Sequence, residues 1–264
     1  MIVQNRDDMG KPMPEMVAGF LNELLRDSAD PADKSLNGLQ VDSGNPVKRI
    51  GYAVDACLEA FEIAKEQGCD MLITHHGLYW AGDEHRIIGL MKNRVSFLIR
   101  NNISLWSCHI PLDRDLKFGN NIGLSRIIGL TDPKGFADYH GMPIGLYGNL
   151  AETTTVSKIS EVLKNNLPEY NPFMWNFGKE TIENVGVVSG GGSFAISEAA
   201  ELGLDLLITG EVSHSDYHIA LENKINVLAA GHWSTETVGI GLIANEITDK
   251  LGIETVFISI PTRM

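Results

Sequence analysis

The sequence predicts an α/β fold built as two pseudo-repeated lobes, with mainly parallel central strands and a metal site between the lobes at the strand carboxyl ends. Three observations carry that prediction. An apolar β-α-β pattern occurs early and again late in the chain, the two copies superimpose without a gap, and several of the strands run directly into histidines and acids.

The elements follow in order. Met16, Val17, Phe20, Leu21, Leu24 and Leu25 recur at helical spacing, so residues 14–25 form an amphipathic helix. After a polar loop, residues 48–54 read as a strand, 59–66 as a helix and 71–74 as a buried strand. Residues 94–101 read as a helix and 103–108 as a strand. Within 131–175 the pattern is less regular, with a strand-like patch around Gly141, Pro143, Gly145 and Gly148 and a helix at 156–165. The β-α-β order then returns, with strand 184–189, helix 195–201 and strand 206–209, followed by strand 227–230. Asp205 superimposes on Asp70 at a numbering offset of 135, and the same offset pairs Gly51 with Gly186, Ala60 with Ala195, Ala64 with Ala199, Gly68 with Gly203 and Leu72-Ile73-Thr74 with Leu207-Ile208-Thr209. Residues 1–131 and 184–264 are therefore expected to be related lobes forming one metal-binding unit. Residues 132–183 form a middle segment packed with them, and no further domain is inserted.

Composition narrows the function. A 264-residue chain that is 44% hydrophobic can bury a substantial core. A formal charge of −13 disfavours nucleic acid and anionic membranes as partners. Cys57, Cys69 and Cys108 make neither a CxxC pair nor a secreted disulfide framework, which points to a reducing compartment. No signal peptide or membrane span is legible, so the expected location is cytoplasmic.

Ligands of open α/β sheets collect beyond the strand carboxyl ends, and here those ends carry metal-ligand side chains. The strand at 71–74 runs into His75 and His76, which as neighbours diverge and can each reach a different ion. The next strand runs into His109 and, past the stiffening Pro111, into Asp113. The strand at 206–209 ends in Gly210 and Glu211, with His214 and His218 beyond. The strand at 227–230 ends at His232, and Glu236 shares its face if a helix begins there. Imidazoles with carboxylates suit Zn, Fe, Mn, Co or Ni better than calcium. His85 and His140 read as ordinary loop histidines, and Cys108 as a buried strand cysteine in preference to a nucleophile. Gly190, Gly191 and Gly192 precede a helix as a phosphate cradle would, but no GK[ST] follows.

The motifs LNGLQV (36–41), ITHHG (73–77), H-x-x-x-D (109–113), TGEV (209–212) and AAGHWSTE (229–236) resemble, in this order and over nearly the whole chain, those of the Nif-three-like dinuclear-metal-centre hexamers, catalogued as GTP cyclohydrolase type 2 homologues. The resemblance implies that His75, His76, Asp113, His232 and Glu236 ligate two divalent ions, with Glu236 bridging. His109, Glu211 and His218 would line the same pocket as catalytic residues. It also implies a toroidal homohexamer. Two departures concern the substrate pocket: Trp233 is bulky where relatives carry a small or polar residue, and Leu78, Tyr79 and Trp80 follow the HHG.

Three functions are weighed. The first is a metal-dependent hydrolase of an unidentified small molecule, acting on a nucleotide such as GTP, a phosphoester or an amide through a water shared by both ions, with Glu211, His109 or His218 moving the proton. The second is a non-catalytic metal-binding or delivery protein, and the third a regulatory scaffold. Five protein ligands for two ions leave positions for water, which favours chemistry.

Overall fold

The computed structural model describes residues 10–82 and 86–263; His85 lies outside them. The chain divides into two compact units. One comprises the residues up to Leu112 together with Ile240–Ile260, and the other comprises Asp113–Gly239 with residues 261–263.

The first unit opens with helix α1 (Pro14–Leu24), which begins on a proline, buries Val17, Ala18 and Leu21, and ends one residue short of the predicted span. Its five-stranded sheet has the order β1 (Gly38–Val41), β4 (Ser104–Ser107), β3 (Met71–His76), β2 (Arg49–Asp55), β11 (Glu254–Phe257). Strands β4, β3, β2 and β11 run parallel, and β1 pairs antiparallel with β4. Helices α2 (Leu58–Glu66) and α3 (Gly89–Arg100) supply the crossovers. The core gathers Phe61 from α2, Leu98 from α3, Leu72 and Leu105 from the strands, and Ile258 beyond β11. Phe61 is fully buried, so its truncation to alanine should cost about 3–5 kcal/mol.

The second unit has a six-stranded sheet in the order β5 (Leu130–Tyr139), β6 (Met142–Thr154), β8 (Ile182–Val188), β9 (Leu206–Thr209), β10 (Asn226–Ala229), β7 (Phe173–Trp175). The central β8, β9 and β10 are parallel, and β5, β6 and β7 are antiparallel. The patch around Gly141 is thus a long β5–β6 hairpin. Helices α5 (Asn120–Ile127), α6 (Val156–Lys164), α7 (Ile196–Glu201) and α8 (Asp216–Asn223) complete this unit. Leu163, Ile182, Val185, Val187, Leu206, Ile208 and Leu228 form its core. Two helices contain a unit boundary: α4 (Ile110–Arg114) and the 20-residue α9 (His232–Leu251).

The predicted repeat is visible in the hydrogen bonding as well as in the pattern. Ile50 pairs with Met71 and Ala53 with Thr74; at the repeat offset, Val185 pairs with Leu206 and Val188 with Thr209. Asp70 Oδ2 accepts the N–H groups of Lys48 and Arg49, as Asp205 Oδ2 accepts those of Glu183 and Asn184. Each helix leads into a glycine with φ of +71°, Gly68 or Gly203, ahead of the next strand. Even the edges correspond. Strand β1 places Gly38 opposite Ser107 and β7 places Phe173 opposite Ala229, and Gly38 and Phe173 are themselves repeat equivalents.

Among the described residues no helix is long and apolar enough to cross a membrane.

Candidate metal centre

In the first unit three imidazoles meet where β3 and β4 end. His75 and His76 are the last residues of β3, and His109 lies between β4 and α4. Strand alternation predicts that the two neighbours diverge. Their ring centroids nonetheless lie 4.7 Å apart, and that of His109 lies 5.2 Å from His75 and 5.6 Å from His76. Each of the three presents a nitrogen within 4.8 Å of the others. His75 is fully buried, the other two partly.

A carbonyl and two carboxylates orient these rings. His75 Nδ1 lies 3.0 Å from the Cys108 carbonyl, which can only accept, so Nδ1 carries the hydrogen and Nε2 is the basic nitrogen. His76 Nδ1 is 2.8 Å from Asp55 Oδ1, and His109 Nδ1 is 2.9 Å from Asp33 Oδ1. Burial acts to raise the Asp33 pKa, but the hydrogen bond and charge of His109, with further donors from Asn37 and the Ser35 backbone, outweigh it and hold the carboxyl below its usual value. Asn37 Oδ1 also accepts the His109 backbone N–H, and Gln40 Oε1 accepts that of Leu78. The LNGLQV segment therefore braces the loops that carry the histidines. Trp80 stands edge-on to His109 at 4.9 Å.

The second unit presents an acid-rich counterpart. His232 begins α9 directly after β10, and one helical turn later Glu236 Oε1 lies 3.1 Å from its Nε2. Glu211, just past β9, places Oε2 3.0 Å from His232 Nδ1. Burial works against charge on His232, but the hydrogen bond and charge of Glu236, reinforced by Glu211, raise its pKa to about 9. A metal ion at that ring would displace the proton. Asp113 is buried, with Oδ1 accepting from Asn120 Nδ2 at 2.9 Å and Ser189 Oγ at 2.8 Å. Gly190, at φ +59°, crosses so close to Glu236 and His232 that a Cβ there would strike the Glu236 carboxylate. Its N–H donates to Thr235 and its carbonyl accepts from Gly210 and Glu211, so the glycine run closes the strand ends and holds no phosphate cradle open.

The sequence-predicted residues thus fall into His75, His76 and His109 in one unit, and His232, Glu236, Glu211 and Asp113 in the other, where Asp113 and Glu236 present carboxylate oxygens within 4.8 Å of one another. His218 is exposed on α8 with its ring edge-on to Tyr217, and His214 is exposed nearby. Trp233 is buried. Cys108 is buried as well, and among the described residues no disulfide forms. Sequence reasoning missed Asp33, Asp55 and the Cys108 carbonyl. Asp55 could have been found as the acid ending β2 beside β3, whereas Asp33 sits in a polar loop with no periodic signal.

The donor set consists of imidazoles, each turned by a carboxylate or a carbonyl, together with buried carboxylates and no thiolate. That chemistry fits borderline divalent ions, and the oriented rings are the outer-shell pattern of metal-binding histidines.

Fold and side chains together define a two-unit α/β protein whose strand ends carry candidate metal-ligating histidines and acids. Residues 15–263 match the family model Duf34/NIF3 (NGG1p interacting factor 3), and the chain belongs to that family. It is 42% identical over 248 residues to a protein of Pyrococcus abyssi named GTP cyclohydrolase 1 type 2 homolog, covering 94% of this chain and 98% of that one. A protein of the same name from Escherichia coli is 33% identical over 242 residues, covering 92% and 96%. Among solved structures, the protein titled ybgI, of unknown function, superimposes with a TM-score of 0.87 at 31% identity, covering 96% of this chain and all of that one. Reduced HcgD from Methanocaldococcus jannaschii gives 0.80 at 26% identity, covering 94% and 98%.

Proposed function

We propose that this protein holds two divalent metal ions on His75, His76, Asp113, His232 and Glu236, with Glu236 bridging, and hydrolyses a small molecule there. The observation that carries the reading is the outer shell. Asp55, Asp33, Glu211 and the Cys108 carbonyl each grip a histidine through Nδ1, an investment that a merely core-filling histidine does not need. Two bound ions would supply an activated water and polarise the bond under attack. The protein's own part is to orient the imidazoles and move protons. Glu211, poised on His232, and His109, poised on Asp33, are placed to do so, with His218 as a third candidate.

The names of the relatives suggest a purine nucleotide as substrate, and a phosphoester or amide fits the same chemistry. The resemblance also supports a homohexamer, which analytical ultracentrifugation checks, and the composition supports a cytoplasmic setting.

The deciding experiment is elemental analysis of protein purified without chelator, as wild type, His76→Ala and Glu236→Ala. Close to two ions per chain, lost in both variants together with turnover of a nucleotide, phosphoester or amide panel, is expected. A wild type that binds no metal even after reloading would overturn the reading.

A further inference from the structure

The second unit contains a cavity of about 380 Å³ beside Glu211, within the range of small-molecule sites. Its wall is β7. Phe173 and Trp175, two residues apart on an edge strand, face the same side, and Phe173 lies opposite the small Ala229 of β10. Gly210 and Gly231 also line the cavity. Trp175 is buried and held in place by Phe177, whose ring is nearly parallel to it at 6.0 Å, and by Tyr217, edge-on at 5.5 Å. Phe173 stands edge-on to Trp175 at 5.6 Å yet remains 53% exposed. An exposed phenyl beside a braced indole is an aromatic platform lacking a third ring.

The polar end is equally specific. Glu211 lines the cavity and spends Oε2 on His232, while its second oxygen retains acceptor capacity. The described residues lining the cavity include neither Lys nor Arg, and its other polar side chains are Asn171, Ser213 and His214.

We propose that this cavity binds a flat nitrogen heteroaromatic ring, packed against Phe173 and Trp175, with its N–H donors directed to Glu211. The proposal rests on the metal-centre reading only for its catalytic meaning, since a ring held on Glu211 sits next to the imidazole that Glu211 orients. Phe173, Trp175 and Glu211 are then specificity-determining residues, and the edge strand β7 is the element that sets ligand shape.

The test is calorimetric titration with 2-aminobenzimidazole, a flat bicycle with adjacent N–H donors, against benzothiazole, a similar bicycle with none. Wild type should bind the first at least roughly 10-fold more tightly than the second. Phe173→Ala, which removes an exposed side chain, should weaken binding roughly 10-fold, the scale of one ring stacked on an aromatic. Phe194→Ala, at an equally exposed ring outside the cavity, should change nothing. Glu211→Gln should bring the two compounds close to equal affinity. Equal affinity for both compounds in wild type, or unaltered binding in both Phe173→Ala and Glu211→Gln, would overturn the proposal. Ring binding by a protein that takes up no metal would sink the metal-centre reading alone, and metal uptake without ring binding would sink the ring site alone.

Discussion

At the end of β3 the first unit carries His75 and His76; at the corresponding end of β9 the second carries Gly210 and Glu211. At the end of β2 stands Asp55, and its repeat equivalent is Gly190. The strand pairing that leads to these positions matches residue for residue, but at the ends the backbones part: Asp55 stays paired with His76, whereas Gly190 turns to φ +59° and its carbonyl accepts from Gly210 and Glu211. The first unit places its imidazoles on the strand ends themselves and turns them with acids from neighbouring strands and loops. The second strips its strand ends to glycine, which lets the backbone pass close to the first turn of α9, where His232 and Glu236 stand. One frame thus serves two chemistries: strand ends that bear the ligands, and strand ends that make room for them.

The comparison breaks most severely at its paired extremes. Gly190→Ala adds a Cβ at positive φ against the Glu236 carboxylate, so a loss of about 3–5 kcal/mol in urea unfolding is expected, with disruption of metal uptake. Its counterpart Asp55→Ala removes only the partner of His76. Stability should change little, while metal affinity measured by competition with a chelator falls roughly 10- to 100-fold. If Gly190→Ala folds and binds metal normally, the room-making role of the second unit's glycines is refuted.

The two aspartates sharpen the comparison further. Asp205 is buried and accepts from Lys179 as well as from two backbone N–H groups, whereas Asp70 is only partly buried. Asp205→Ala should cost about 2–3 kcal/mol and Asp70→Ala about 1 kcal/mol, because burial decides what an orphaned N–H costs. Burial acts to raise the Asp205 pKa, but the Lys179 hydrogen bond and the N–H groups of Asn184 and Glu183 overcome it and hold the carboxyl below its ordinary 3.8. A depressed folded-state pKa contributes stability that is complete above pH 3.8 and is lost as pH falls through the lowered value. Wild type should therefore lose part of its advantage over Asp205→Asn between pH 5 and pH 2, read from urea midpoints. A constant gap across that range would show that the charge contributes nothing. The smallest effect tests the sameness itself. Gly68→Ala and Gly203→Ala, both at φ +71° in open space, should each cost about 1 kcal/mol and agree within error in thermal melts.

How much of this was legible depended on periodicity. The β2-α2-β3 unit and its repeat β8-α7-β9 stand out because buried parallel strands are short apolar runs and the offset of 135 holds without a gap. The strand-end histidines and acids followed from that placement. The edge strands β1 and β7, four and three residues long, carry too little pattern to read, although the motif at 36–41 marked β1 by resemblance. β11 is equally brief and finds its place only by pairing with β2, which comes from the opposite end of the chain. Two of the three unit boundaries leave no composition shift because they fall inside α4 and α9, which are continuous helices. Asp33 was invisible because its role is set by a contact with a residue 76 positions away.

Strand β11 also imposes a timetable. A chain made from its amino end has β2 in hand by Asp55, but the strand that covers β2's outer edge is not made until Phe257. At synthesis rates of about 5–20 residues per second that interval is roughly 10 to 40 s. Throughout it, the first sheet presents an open row of backbone donors and acceptors. The second unit's sheet, formed entirely from residues between 130 and 229, has all its strands roughly 1 to 6 s earlier at the same rates. The nascent chain is therefore most vulnerable to mispairing on the half that was made first.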